Sequence, residues 1–234
     1  MEEQMKSSLH EMILSRGYWQ VLVRPATFKK DLIGDISALL PLLVKNKVRI
    51  RGWDFPHIDS KNKPQLFLDW IEQQFNWEHH KSIWRLYQSG QFFQIAALPI
   101  DWRDESSFWP ATSDWKYGTQ LYVGDTIATL TEIFEFAARL ALSDAGDENM
   151  QIKFVLGNLK NRFLVNDKDP FFGYGETCKA SISSFPYEST VSRTELVSES
   201  KNIALKTAVE IFKRFNWNIS SFESLRGWQN EFKI

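Results

Sequence analysis

The run TIATLTEIFEFAARLAL, Thr126 to Leu142, is the segment from which the fold can be worked outward. Leu130, Ile133, Phe134, Ala137, Leu140 and Ala141 recur at spacings of three and four, which puts them on one face of a helix, and Asp125 is a suitable N-cap. On both sides of this helix the pattern turns to strand. Phe92–Leu98, set between Gly90 and Pro99, reads as a strand, and so does Gln151–Leu156 beyond the turn at Asp144–Asn149. A helix between groups of strands with no regular βαβ alternation predicts an α+β fold with a mostly antiparallel sheet.

Further toward the N-terminus, Asp101–Gly118 is a polar and aromatic loop punctuated by Pro110 and Gly118. Ser82–Gln88 is read as a helical turn and Leu66–His79 as an extended strand. Val48–Trp53 reads as another strand, closed by Pro56. Asp31 is placed as the N-cap of a helix carrying Leu32, Ile33, Ile36, Leu39 and Leu40, which Pro41 should kink or end because it lacks an N–H. Tyr18–Val23 reads as a strand stopping before Pro25, and residues 2–15 as a leading helix with Met5, Leu9, Met12 and Ile13 on one face.

Toward the C-terminus, Arg162–Val165 and Thr177–Phe185 are read as strands flanking a loop at Asp167–Gly175. A polar stretch, Ser192–Asn202, leads to a second helix carrying Ala204, Ala208, Ile211, Phe212 and Phe215. Ser220-Ser221-Phe222-Glu223 resembles a capping box opening a last short helix with Leu225, Trp228 and Phe232. The two amphipathic helices, Thr126–Leu142 and Asn202–Phe215, are expected to pack on the sheet over a Trp-rich core between residues 53 and 98.

Seven of the ten tryptophans (Trp53, Trp70, Trp77, Trp84, Trp102, Trp109 and Trp115) fall between residues 53 and 115. Such density means a large aromatic core or a stacking surface. Tryptophan thins out after residue 119, the one place where a single domain of residues 1–234 would divide into two lobes. The 234 residues are 43% hydrophobic and 24% charged, as in an ordinary globular protein. The net charge of −1 argues against binding nucleic acid or anionic membrane through overall charge. No apolar run is long enough to span a bilayer, and Met1–Lys6 lacks the apolar region of a secretory signal. Cys178 is the single cysteine, so no internal disulfide is possible. These features predict a cytoplasmic protein.

Three groups of residues compete as functional sites. Arg51, Trp53, Trp84, Tyr87 and Phe92 would offer an aromatic surface to a protein or small ligand. Lys45, Lys47, Arg49 and Arg51, at alternate positions, would form a basic stripe for phosphates if they lay in one strand beside Trp53. Asp54, His57, Asp59 and His79 carry ligand types that suit zinc, iron or manganese, although their spacing matches no established metal motif. Glu78 and His80 adjoin this group.

Other signatures are missing or bland. Gly173-Tyr174-Gly175 lacks the strand–turn–helix context of a dinucleotide site, and no phosphate-loop lysine or Gly-x-Ser-x-Gly elbow occurs. Cys178 beside Lys179 reads as a small buried hydrophobe. Glu132, Glu135 and Arg139 are placed on the polar side of the best helix, with Glu135 and Arg139 as an i,i+4 surface pair.

Arg51-Gly52-Trp53-Asp54-Phe55-Pro56-His57, Trp84-Arg85-Leu86-Tyr87-Gln88-Ser89-Gly90-Gln91-Phe92 and Thr131-Glu132-Ile133-Phe134-Glu135-Phe136-Ala137-Ala138-Arg139 together resemble segments of uncharacterised bacterial proteins. Some of those look like regions attached to Schlafen-type, AlbA-like DNA-binding domains. The resemblance covers residues 50 to 140 and no separate AlbA-like domain is visible. It implies a bacterial cytosolic accessory or recognition module and brings no catalytic residues with it. The expectation is therefore a non-catalytic module that needs no cofactor and binds a protein or small ligand. A nucleic-acid-binding module using residues 45–51 and a metal-dependent hydrolase using Asp54, His57 and His79 are the alternatives.

Overall fold

Runs rich in β-branched and aromatic residues build an antiparallel sheet of seven strands in the computed structural model, which describes residues 8–166, 178–219 and 222–232. In chain order the strands are β1 (Tyr18–Pro25), β2 (Val48–Arg49), β3 (Asp54–Phe55), β4 (Gln65–Leu66), β5 (Trp70–Trp77), β6 (His80–Tyr87), β7 (Phe92–Ala97), β8 (Gln120–Tyr122), β9 (Asn149–Gly157), β10 (Phe163–Val165) and β11 (Ser184–Ser192). The helices are α1 (Leu9–Ser15), α2 (Leu39–Asn46), α3 (Val123–Ala141), α4 (Arg193–Lys213) and α5 (Phe222–Asn230). The sheet runs β11-β9-β1-β7-β6-β5-β4, and two small pairs, β8 with β10 and β2 with β3, lie outside it. The fold is α+β with an antiparallel sheet. Its strands come from both sides of residue 119, so that position does not divide the sheet.

Strand register sorts the side chains onto two faces. Trp19, Val21 and Val23 of β1 stand level with Ala96, Gln94 and Phe92 of β7, and these with Ser82, Trp84 and Leu86 of β6. This front face carries the main core, into which α2, α3, α4 and α5 pack. On the back face Ile83, Ile95, Ala97 and Trp102 meet Ile13 of α1. Seven residues make too short a helix to hold by itself. A capping box starts α1, with Ser8 N donating to Glu11 Oε2 and Glu11 N to Ser8 Oγ, and the buried Ile13 contributes about 1.5–3 kcal/mol.

A buried ion pair ties distant segments together at the end of the sheet where β1 begins and β7 and β9 finish. Arg162 is fully buried and Asp101 nearly so, and both guanidinium Nη atoms reach the Asp101 carboxylate. The same carboxylate accepts from Gly17 N and Gly118 N, while Arg162 Nε donates to Asn158 O. Breaking such a pair costs about 3–5 kcal/mol because the surviving charge is left buried without a partner.

Several elements differ from the sequence reading. β6 occupies His80–Tyr87 where a helical turn was expected, and it pairs with β5 through a tight turn at Glu78-His79, where Glu78 adopts φ +50°. Pro41 does not end a helix: it sits in the first turn of α2, where no N–H is needed, after a 3-10 turn capped by Asp35 rather than Asp31. The expected strand Val48–Trp53 lasts two residues before Gly52, at φ +83°, reverses the chain. α3 begins at Val123, so Asp125 lies in its first turn and is not its N-cap. The expected strand at Thr177–Phe185 begins only at Ser184, and buried Cys178 lies in an irregular segment. The polar stretch after Ser192 is the first half of α4, with Ser192 as its N-cap. Trp84 is fully buried, whereas Trp53 and Trp70 are half-buried and Trp77 is exposed. The aromatic density thus divides between the core and stacked clusters at its margin. Residues 2–7 of the leading helix, the loop 167–175 with its Gly173-Tyr174-Gly175, Thr177, and Ser220-Ser221 of the capping box lie outside the described residues.

Candidate functional site

The front face of the sheet is hollow near its middle. Along one row the side chains are Phe75, Ser82, Ala96 and Trp19, so two small residues stand between two large ones. The adjacent row is Gln73, Trp84, Gln94 and Val21. Above the hollow lies the N-terminal half of α3, and between them is a cavity of about 470 Å³. That is the size of a small-molecule site, in the range of ~300–1,000 Å³.

Two loops complete the walls. The chain after Gly52 brings Trp53 over the hollow, where its ring stacks on His57 at 4.0 Å and on His80 at 4.2 Å, with Phe75 edge-on at 5.5 Å. This loop is fastened to the sheet by buried polar groups. Trp84 Nε1 donates to His57 O at 2.7 Å, and the Gln73 amide exchanges two bonds of 3.0 Å with the Asp59 backbone. The second loop presents Trp109, whose N donates to Ser106 Oγ at 3.0 Å and whose ring lies under the Arg103 guanidinium at 4.4 Å.

The charges around the cavity are matched among themselves. Arg51 donates to both oxygens of Glu132, at 3.1 and 2.8 Å, and also reaches Asp125 at 3.2 Å and Thr129 Oγ1 at 2.9 Å. The Glu132 carboxylate is almost fully buried, and burial holds its pKa above the ordinary carboxylate range against the pull of Arg51. Asp54 accepts from Lys47 at 2.6 Å and lies 4.0 Å from Arg49. Burial lowers the pKa of His57 and His79, and pushes that of His80 down to about 4, so these imidazoles are neutral at pH 7.

Two residues that border this space each hold a buried polar atom without a partner. Gln94 is 5% exposed, yet its Oε1 has no hydrogen-bond donor, and His57 Nδ1 is likewise buried and unpaired. An unmet buried acceptor costs about 1–3 kcal/mol.

Of the residues singled out in the sequence for ligand contact, Arg51 and Trp53 line the cavity. Trp84 and Phe92 are core residues with no exposed surface, and Tyr87 faces the back of the sheet beside Trp70. The basic run does not form one strand face: Lys45 is on α2, Lys47 caps it and binds Asp54, Arg49 is exposed on β2, and Arg51 is engaged by α3. Asp54, His57 and His79 all border the cavity but serve other partners, His79 Nδ1 lying 2.7 Å from Ser106 Oγ. Asp59 turns away to Lys61 N and Asn62. Among the described residues no three His, Cys, Asp or Glu side chains are grouped so as to hold a metal ion.

The sequence reading gave Gln94, Ser82 and Ala96 no role, named Trp109 only within the tryptophan cluster and placed Glu132 on a polar helix face. One signal was available, since Gln94 interrupts the otherwise apolar strand FFQIAAL at its centre. Glu132, expected on a solvated face, is buried against Arg51. The expected pairing of Glu135 with Arg139 gives way to contacts with other elements: Glu135 accepts from Ser200 Oγ of α4, and Arg139 donates to Lys47 O.

The fold and site together define an α+β protein with an aromatic cavity between its sheet and its central helix. Comparison with family models, curated proteins and solved structures finds no match to this chain. No helix among the described residues is long and apolar enough to cross a membrane.

Proposed function

We propose that this protein is a non-catalytic recognition module that binds a small molecule in the cavity between β5–β7 and α3. The observation that carries this reading is a cavity of about 470 Å³ walled by Trp19, Trp53, Phe75 and Trp109, over a sheet left hollow at Ser82 and Ala96. Mostly apolar walls with a few placed polar groups are the usual make-up of a ligand site. The charged groups at its rim are bound to one another, which suits holding a ligand better than attacking one.

Ala96→Leu tests the reading, because it places extra methyl groups in the hollow between Phe75 and Trp19. Ligand-observed NMR is recorded with indole, benzoate and benzamidine on the wild type and on Ala96→Leu. At least one probe is expected to give transfer from the wild type that disappears in the variant, with the melting temperature held or raised. Absence of transfer from all three probes, or transfer unchanged by Ala96→Leu, overturns the proposal.

A further inference from the structure

A second hollow, of about 800 Å³, adjoins the cavity, with Ile50, Ala128, Trp228 and Phe232 among its walls. Arg51, Gly52, Trp109, Tyr122 and Asp125 border both spaces, so the two share one side. That partition is thin at Gly52, which brings no side chain to it: a Cβ added there would meet no atom within 4 Å. A molecule seated in the inner cavity can therefore extend into the outer hollow.

The two spaces differ in what they can hold. The inner one lies on Trp19, Phe75 and Ala96, which suit a flat ring. The charges at its edge are tightly paired, Arg51 with Glu132 at 2.8 Å and Asp54 with Lys47 at 2.6 Å, so a charged group buried there would find no free counter-ion. At the outer hollow Arg51 and Asp125 are bound to each other at 3.2 Å, and Glu231 has a partner of its own. Arg49 stands apart. Asp54 Oδ1 is 4.0 Å from its Nε, beyond hydrogen-bonding distance, and the other oxygen of that carboxylate is held by Lys47. One carboxylate thus faces two cations. The Arg49 side chain is 71% exposed, and among the described residues it donates no hydrogen bond. Its planar guanidinium keeps the paired donors that match a carboxylate.

We infer that the cavity and the outer hollow form one site for an aromatic acid, a flat ring joined by a short flexible tether to a carboxylate that Arg49 binds. The inference rests on the small-ligand reading above. The ring lies against Ser82 and Ala96, the tether passes Gly52, and the charge stays at the solvent-facing end. A ring that carries its carboxylate directly, as benzoate does, would have to bury that charge to seat itself.

Phenylbutyrate and phenylbutyramide share ring, tether and shape and differ in charge, and benzoate and benzamide form the same pair without a tether. The four dissociation constants are measured by ligand-observed NMR titration, at low and at high salt, on the wild type, Arg49→Gln and Ala96→Leu. At low salt the wild type is expected to prefer phenylbutyrate over phenylbutyramide by about threefold to fivefold, as a partly exposed ion pair predicts. The preference should shrink at high salt and vanish in Arg49→Gln, with phenylbutyramide binding unchanged. Benzoate should gain nothing over benzamide. Equal binding of phenylbutyrate and phenylbutyramide to the wild type, or a preference that survives Arg49→Gln, overturns the carboxylate assignment. A preference for benzoate as large as that for phenylbutyrate overturns the span across the two spaces. In each of these cases binding that Ala96→Leu removes leaves the cavity reading standing, whereas absence of binding by all four probes, or binding unchanged by Ala96→Leu, overturns both.

Discussion

His80 packs its ring on Trp53 at 4.2 Å, beside His79 and within the field of His57 and Arg51. Burial is the largest reason that its pKa falls from 6.5 to about 4, with the neighbouring positive charges adding to it. In the unfolded chain His80 takes up a proton near pH 6.5, and in the folded protein only near pH 4. The unfolded state therefore binds more protons between those values, and stability that is fully present above about pH 6.5 is lost as the pH falls toward 4. Allowing for its partial exposure, this one group accounts for on the order of 2 kcal/mol. Urea unfolding at pH 7 and pH 4.5 measures the loss, and His80→Gln should flatten the dependence. An unchanged slope in that variant would assign the effect to other groups. At this scale the sequence disclosed Arg51, Trp53, Asp54 and the histidines at the cavity rim but not the residues that make the hollow. Tryptophan and arginine stand out in a sequence, whereas the hollow depends on Ser82 and Ala96, two small residues that become neighbours only through the register of β6 and β7. Trp84 and Phe92 were selected for the same prominence, and the register places both in the core.

The elements were legible where one face differs from the other. α3 has buried residues nearly all round, because the sheet lies on one side and α4 and α5 on the other, yet its length and spacing still marked it as a helix. β6 was misread for the opposite reason. It is buried on both faces along most of its length, and its sequence HKSIWRLY mixes polar and apolar residues with no period of two to betray a strand. The first half of α4 buries only Leu196 and Ser200 up to residue 200, too few for an apolar stripe to be seen in sequence. α5 docks through a contact that can be tested directly. A Cβ added to Gly124 would lie 2.5 Å from Trp228 Cζ3 and 2.8 Å from Cε3, closer than these atoms tolerate. Helix propensity favours Ala over Gly by about 1 kcal/mol, but the ring must move to let it in. Gly124→Ala is therefore expected to loosen α5, shown by faster amide exchange across Phe222–Asn230 while the central strands keep their protection. Unaltered exchange in α5 together with a higher melting temperature would mean that Trp228 yields at no cost.

For the molecule as a whole, the decisive fact is that β1, formed by residues 18–25, lies between β7 and β9. Class and strand direction could be argued from pattern alone, but this order could not. Which strands become neighbours depends on how α3 and α4 cover the front face, and local patterning carries no record of that. The order also bears on synthesis. When the ribosome has made the chain as far as residue 119, β1 and β4–β7 are complete, but the strand that covers the far side of β1 is still to come. An apolar edge carrying Trp19, Val21 and Val23 then waits for residues 149–157, a free template for pairing with another nascent chain. A fragment ending at residue 119 should sediment as aggregate where the full chain remains a defined species, and a fragment running through Gly157 should aggregate less. Until β9 arrives, that edge stays open to any strand that can pair with it.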